Sequence, residues 1–406
     1  MTVTKIHQPG LPESGKEGFR TLPKGVWVLG FVSMLMDISS ELIHSLLPIF
    51  MVTTLGASVS ALGFIEGIAE ATAAITKIFS GAISDYFGRR KMLAVAGYTL
   101  GAMSKPLFPL ATTIGWVFIA RFIDRIGKGI RGAPRDALVA DISPPRLWGA
   151  AYGLRQALDS VGAFVGPLLA LVLMIVLAGN IHAVMWVAVV PGFLAVVLLM
   201  TMVHETGSAG VAADQRKPLV LADAKRLPLR FWLVVIFGAV FALARFSEAF
   251  LILRGQDVGL AIGYVPAIMI VMNVVYSVCA YPAGAAADEL KPRTLLLMGI
   301  GVLIVADMVL AMAASPWLVF IGAAIWGLHM ALTQGLFAKL VAETAPLELR
   351  GTAFGFFHLV SGGAILLASG IAGTLWQSFG ASATFLAGAT FAAVAALGLL
   401  VIYRKP

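Results

Sequence analysis

The chain has 406 residues but one cysteine and only 12% charged side chains. A single cysteine rules out a disulfide within the chain and a thiolate metal cluster. Cys279 lies inside an apolar run, where it reads as a small core residue. Soluble domains carry about 25% charged residues. A chain at half that level, 59% apolar and with a mean hydropathy of +0.93, does not read as an ordinary soluble protein. Catalytic signatures are scarce as well: neither GxSxG nor HExxH occurs, the spacings that bring nucleophile, base or zinc ligands together. No histidine pair stands at i, i+4. Enzymatic activity is therefore not expected, and no cofactor is expected.

Apolar runs of membrane-spanning length, each about 18–25 residues, recur from Val26 to Tyr403, and twelve can be counted. They predict helices over 26–52, 59–80, 92–111, 115–140, 149–178, 181–203, 231–253, 261–284, 294–313, 317–343, 351–375 and 379–403. Such a chain reads as an all-α protein crossing a plasma or bacterial inner membrane many times. The net charge of +8 raises the question of nucleic acid, but placement matters more than the sum. Of the 29 Lys and Arg, eighteen fall in the two tails and the even-numbered loops; the odd-numbered loops hold only Arg254. That asymmetry predicts cytoplasmic termini, and it leaves no basic surface to expect nucleic acid on.

The longest polar break, 204–230, divides the runs into two blocks of six. The expected organisation is a cytoplasmic tail (1–24), a first six-helix bundle (25–203), a cytoplasmic linker (204–230) and a second six-helix bundle (231–406). The blocks also match in sequence. "SGAISDYFGRRKML" from Ser80 aligns with "AGAAADELKPRTLL" from Ala283 at an offset of 203. "ADISPPRLWGAAYG" from Ala140 aligns with "AETAPLELRGTAFG" from Ala342 at an offset of 202. Six spans per block return each repeat to the membrane in the same sense, as parallel repeats.

Twelve helices in a 6+6 arrangement and the motif residues Gly81, Asp85, Gly88, Arg89 and Arg90 between the second and third helices resemble the major facilitator superfamily. The motif departs at Tyr86, where that family usually has a basic residue. The resemblance implies a twelve-helix fold with an aqueous cavity between the halves, a secondary transporter working by alternating access, and a gating latch at this loop. Arg131 and Arg135, at the cytoplasmic end of helix 4, are candidate partners of Asp85 in the latch. Gly162, Gly166 and Pro167 in helix 5 follow the order of the family's antiporter motif, which implies export in exchange for protons; the departures at Ala170 and Leu171 leave packing alone as the other reading.

The segment 120–141, "ARFIDRIGKGIRGAPRDALVAD", carries five basic and three acidic residues between apolar runs. Its Gly127, Gly129 and Gly132 spell GxGxxG, yet no strand precedes them as a dinucleotide fingerprint requires. They read instead as sites of close helix approach. At about 100° per residue, Arg121, Asp124, Arg125, Lys128, Arg131 and Arg135 share an arc of about 120°. Charges within the hydrocarbon must be paired or face water, so this face points into the bundle. Facing acids recur on single faces of helix 1 (Asp37, Glu41, His44) and helix 2 (Glu66, Glu70, with Lys77).

Asp37, Glu41, Glu66 and Glu70 are candidates for proton coupling, with structural pairing to helix 4 as the alternative; Asp37 and Glu41 are favoured because helix 1 lines the cavity in the resembled fold. Arg121, Arg125, Lys128, Arg155, Arg245 and His358 are candidates for binding an anionic substrate group. Asp37 and His44 are a weaker candidate pair for a divalent metal. The expected function is a proton-coupled exporter of a small organic, anion-bearing solute or drug. A transition-metal or metallophore exporter and a non-transporting receptor or scaffold on the same fold are the alternatives. The expected partners are the small-molecule substrate, protons and the lipid bilayer, and the expected state is a monomer.

Overall fold

The computed structural model describes residues 22–87, 90–144, 147–203, 226–346 and 349–402, so most of the expected tail and linker falls outside the described residues. Among these residues every regular element is helical and none is a strand. Among the described residues nine stretches are long and apolar enough to cross a membrane. The first half of the sequence forms α1 (Lys24–His44), α2 (Leu47–Ile49), a π turn (Phe50–Thr54), α3 (Val59–Phe87), α4 (Arg90–Ser104), a 3-10 turn (Lys105–Leu107), α5 (Ile114–Ile142), α6 (Trp148–Val176), α7 (Ile181–Val187) and α8 (Val189–Met202). The second forms α9 (Leu229–Leu243), α10 (Ala249–Asp257), a 3-10 turn (Ile262–Tyr264), α11 (Pro266–Glu289), α12 (Pro292–Ala311), α13 (Pro316–Thr344), α14 (Arg350–Phe379) and α15 (Ala381–Ile402).

Several of the expected continuous helices are interrupted, 92–111 after Ser104 and 181–203 at Ala188 among them, and two breaks are wider. The run 26–52 leaves the α ladder after His44, because Pro48 has no N–H to return to the carbonyl four residues back and its ring crowds that carbonyl. The Ser45 hydroxyl donates to the Leu42 carbonyl at 3.1 Å in the gap. The run 231–253 splits into α9 and α10 around Arg245–Phe246–Ser247, a stretch with neither Pro nor Gly. Here tertiary partners replace the lost ladder: the Ser247 amide donates to the Ser369 hydroxyl at 3.2 Å and the Ser247 hydroxyl reaches Glu66 at 3.4 Å. Helix 2 runs longer than the expected 59–80, since α3 continues to Phe87.

α1 packs against α6 and α8, and α5 lies between α3 and α4; later in the chain α13 packs against α11 and α12, and α14 against α9 and α15. Two seams join the earlier helices to the later ones, α3 on α14 and α6 on α11. The first seam is close because small residues line it: a Cβ on Gly67 would stand 2.9 Å from the Leu366 carbonyl oxygen. Its polar contacts cluster at one end, where Ser60 and Thr374 hydroxyls lie 3.4 Å apart and the Val59 amide donates to Gln377 at 3.2 Å. The same end is filled by Phe246, Phe250, Trp376 and Phe385, with ring centroids 5.4–6.1 Å apart. Phe79, Val190, Ile236 and Leu367 remain exposed on the perimeter, as side chains facing lipid do. Cys279 is half-buried on α11.

A charged cavity as candidate functional site

The Gly127, Gly129 and Gly132 run lies wholly within α5. A Cβ at Gly127 would stand 2.7 Å from the Gly101 amide nitrogen, and one at Gly129 2.5 Å from Thr76 Cβ. These two glycines therefore let α5 approach α4 and α3 closely, and that approach sets the charges of α5 against the acids of α3 and α1.

The face of α5 expected to carry charge does so. Arg121, Asp124, Arg125 and Arg131 are at most 3% exposed. Arg121 binds Glu66 at 2.7 Å, with both side chains buried. Arg125 reaches Glu70 at 3.3 Å and the His44 ring at 2.9 Å; His44 in turn stands 3.7 Å from Glu66 and 3.9 Å from Glu41. Asp124 is held by Lys105 at 2.7 Å, which also donates to Ser40 at 2.9 Å. Arg131 lies 3.8 Å from Asp37 and over the Tyr98 ring at 5.0 Å. Arg135 donates to Ser33 at 2.6 Å and approaches Asp136 and Asp159, while Arg155 binds Asp159 at 2.5 Å. Each buried charge of this α5 network thus has a counter-charge, which is the condition for keeping it out of water.

A cavity of about 460 Å³ lies beside this network. One wall is charged: α1 contributes Asp37 and Glu41, α3 Glu70 and Lys77, and α5 Lys128. The facing wall is uncharged and polar, with Asn273, Tyr276 and Ser277 on α11 and His358 and Ser361 on α14. Of the residues expected to meet an anionic substrate, Lys128 and His358 line the cavity. Arg121, Arg125, Arg155 and Arg245 do not. All four candidate coupling carboxylates have a basic partner, but the pairs differ. Glu66 is buried and tightly bound, whereas Asp37 and Glu41 face the cavity with partners 3.8 and 3.9 Å away.

The expected latch is only partly visible. Gly88, Arg89 and the Asp85 side chain lie outside the described residues, and Gly81 belongs to α3. Arg90 binds Asp141 at 2.5 Å, tying α4 to the end of α5. Arg131 and Arg135, the expected partners of Asp85, engage Asp37, Ser33, Asp136 and Asp159. Gly162 and Gly166 bring α6 onto α1 beside the acids: added Cβ atoms would stand 2.9 Å from Asp37 Cβ and 2.7 Å from Glu41 Cβ. Pro167 sits inside α6 without ending it.

His44, Glu66 and Glu70 place three ligand atoms within 4.8 Å of one another. The guanidinium groups of Arg121 and Arg125 already occupy those carboxylates, so positive charge fills the place a divalent ion would need. Asp37 and His44, the pair considered for a metal, are likewise engaged by Arg131 and Arg125. Sequence reasoning passed over Lys105 and Ser361; it placed Lys77 on the Glu66 and Glu70 face of helix 2 but gave it no role.

A family model described as the Major Facilitator Superfamily matches residues 29–275 and 249–406. An uncharacterized MFS-type transporter of Methanocaldococcus jannaschii is 32% identical over 406 residues, covering 98% of this chain and all of that one. The inner membrane transport protein YajR of Escherichia coli is 23% identical over 392 residues, covering 91% of this chain and 81% of its own. A crystal structure of the nucleoside transporter NupG is similar at a TM-score of 0.78 and 13% identity, covering 94% of this chain and all of that one.

Proposed function

The chain belongs to the Major Facilitator Superfamily of membrane transporters, and from that premise we propose that it is a proton-coupled exporter of a small organic solute bearing an anionic group. The observation that carries this reading is the state of the charges lining the cavity. Asp37, Glu70 and Asp159 each have a guanidinium within 4.0 Å and Glu41 has the His44 ring, whereas Lys128 faces the cavity with no carboxylate within that distance among the described residues. An unneutralised ammonium in a confined cavity favours an anionic guest.

Asp37 and Glu41 are the proposed proton carriers. Both reach the cavity, where a proton can arrive, whereas Glu66 is buried against Arg121 at 2.7 Å. Residues 25–203 and 231–406 are the two proposed bundles of a twelve-helix arrangement with cytoplasmic termini. The aromatic plug closes the end away from the cavity, so the state is inward-facing. Export is the direction suggested by the antiporter-like order of Gly162, Gly166 and Pro167, whose glycines seat α6 on the acid-bearing face of α1.

The test is flux in proteoliposomes, using an organic acid found by a thermal-shift screen. Antiport drives the solute into an acidic lumen, and Asp37→Asn or Glu41→Gln removes that dependence while leaving passive equilibration. Flux that ignores the gradient in the unaltered protein refutes proton coupling.

A further inference from the structure

Four polar groups on the cavity lining lack a protein partner. The Lys77 and Lys128 ammonium groups have no carboxylate within 4.0 Å among the described residues. The His358 ring lies beside Phe354 and Phe357, at 6.3 and 5.8 Å between centroids, and makes no hydrogen bond or ion pair among the described residues. The Ser361 hydroxyl oxygen is buried and has no hydrogen-bond partner among the described residues. A buried hydroxyl without a partner costs free energy, so a site that leaves one bare beside two unpaired lysines is built to be completed by something else.

These groups stand at one level. A Cβ at Gly355 would lie 3.3 Å from Ile78 and one at Gly362 3.0 Å from Ala74, so α3 and α14 run antiparallel and Lys77 is level with His358 and Ser361. The Lys77 stem lies across Gly132 of α5, at 3.6 Å from a Cβ built there. Lys128 is one turn earlier on the same helix. All four can donate, and a cluster of donors without an acceptor is what several oxygens of one anionic group satisfy. The charge is fixed by the neighbours. Asp37, Glu70 and Asp159 already meet guanidinium groups within 4.0 Å and Glu41 meets the His44 ring, so Lys77 and Lys128 are the lining cations left for a guest, and a doubly charged guest matches both.

We propose that Lys77, Lys128, His358 and Ser361 form one subsite for a doubly charged oxyanion, such as a phosphate monoester or a dicarboxylate. This rests on the transporter reading above and adds the charge of its cargo. The subsite also spans the α3–α14 seam, so the bound anion joins lysines of the earlier helices to donors of a later one and favours closure of the open end.

The test is thermal shift on the purified full-length protein with matched probes: succinate against its monoamide, and phenyl phosphate against benzoate. At least one dianion stabilises saturably, with half-saturation at least tenfold lower than its singly charged counterpart. The two arms distinguish a carboxylate source from a phosphate source. Lys77→Gln and Ser361→Ala each raise the half-saturating concentration about tenfold, one charge-assisted contact apiece. Lys77→Arg retains binding, and its unliganded melting point reports on folding separately. Equal binding of both partners in each pair, no binding by either dianion, or indifference to Lys77→Gln overturns the subsite. Failure of the two proposals is separable. A dianion that binds but whose flux ignores the pH gradient removes proton coupling and keeps the subsite; a neutral or singly charged solute driven by the gradient, with no dianion bound, does the reverse.

Discussion

Replacing Arg121 by Met tests whether the α5 charges are internal struts or substrate contacts. The Arg121 side chain is 3% exposed and bound to a Glu66 carboxylate that is equally buried, at 2.7 Å. Removing one member of such a pair leaves an uncompensated buried charge, at a cost of about 3–5 kcal/mol. Glu66 would keep His44 at 3.7 Å and the Ser247 hydroxyl at 3.4 Å, which places the expectation near the lower figure, roughly a hundredfold in the folding equilibrium. The double variant Arg121→Met with Glu66→Leu removes both charges, and replacing a buried pair with apolar groups is often neutral. It should therefore recover most of the loss. The assay is a double-mutant cycle on purified protein, followed by unfolding in mixed micelles and by solute binding. A single variant that folds as well as the parent but loses solute affinity would refute the strut assignment; so would a double variant no more stable than the single one.

Lys105→Met should destabilise by about 3 kcal/mol or more, because Asp124 would retain only the Ser104 hydroxyl at 3.4 Å and arginines at 3.8 and 4.0 Å; the same unfolding measurement checks this. Gly129→Ala puts a methyl 2.5 Å from Thr76 Cβ and should cost about 1–3 kcal/mol as overpacking does. Gly132→Ala meets its nearest neighbour outside its own helix backbone, Lys77 Cε, at 3.6 Å and should be tolerated. Comparing the melting points of this pair separates close packing from any role of the glycine pattern itself. Asp37→Asn should leave the melting point within a few degrees while abolishing gradient-driven flux, since its Arg131 contact is long and it already faces the cavity.

The helical class, the single charged face of α5 and the opposing acids of α1 and α3 were all legible in the sequence, because helical periodicity fixes which residues share a face. Pairing was less legible. Azimuth alone does not give depth, so Asp124 could be placed on the charged face without its partner Lys105, which sits in a 3-10 turn after α4. The break before α10 left no local mark, as no Pro or Gly occurs between Leu243 and Ala249; the partners that stabilise it, Ser369 and Glu66, are 122 and 181 residues away. Arg125 and Lys128 looked equivalent from spacing. Only packing showed that the first is 2% exposed in a network while the second opens on the cavity.

The scarcity of thiols gives the Ser60–Thr374 contact a practical use. With hydroxyls 3.4 Å apart across α3 and α14 at the closed end, paired cysteines there fall within reach of disulfide formation. Replacing Cys279 by Ser leaves no other thiol in the chain. A cross-link between these two positions would pin that end shut, and a reductant would release it. The same thiol-free background would accept spectroscopic labels one pair at a time, so that opening at each end could be timed against substrate movement.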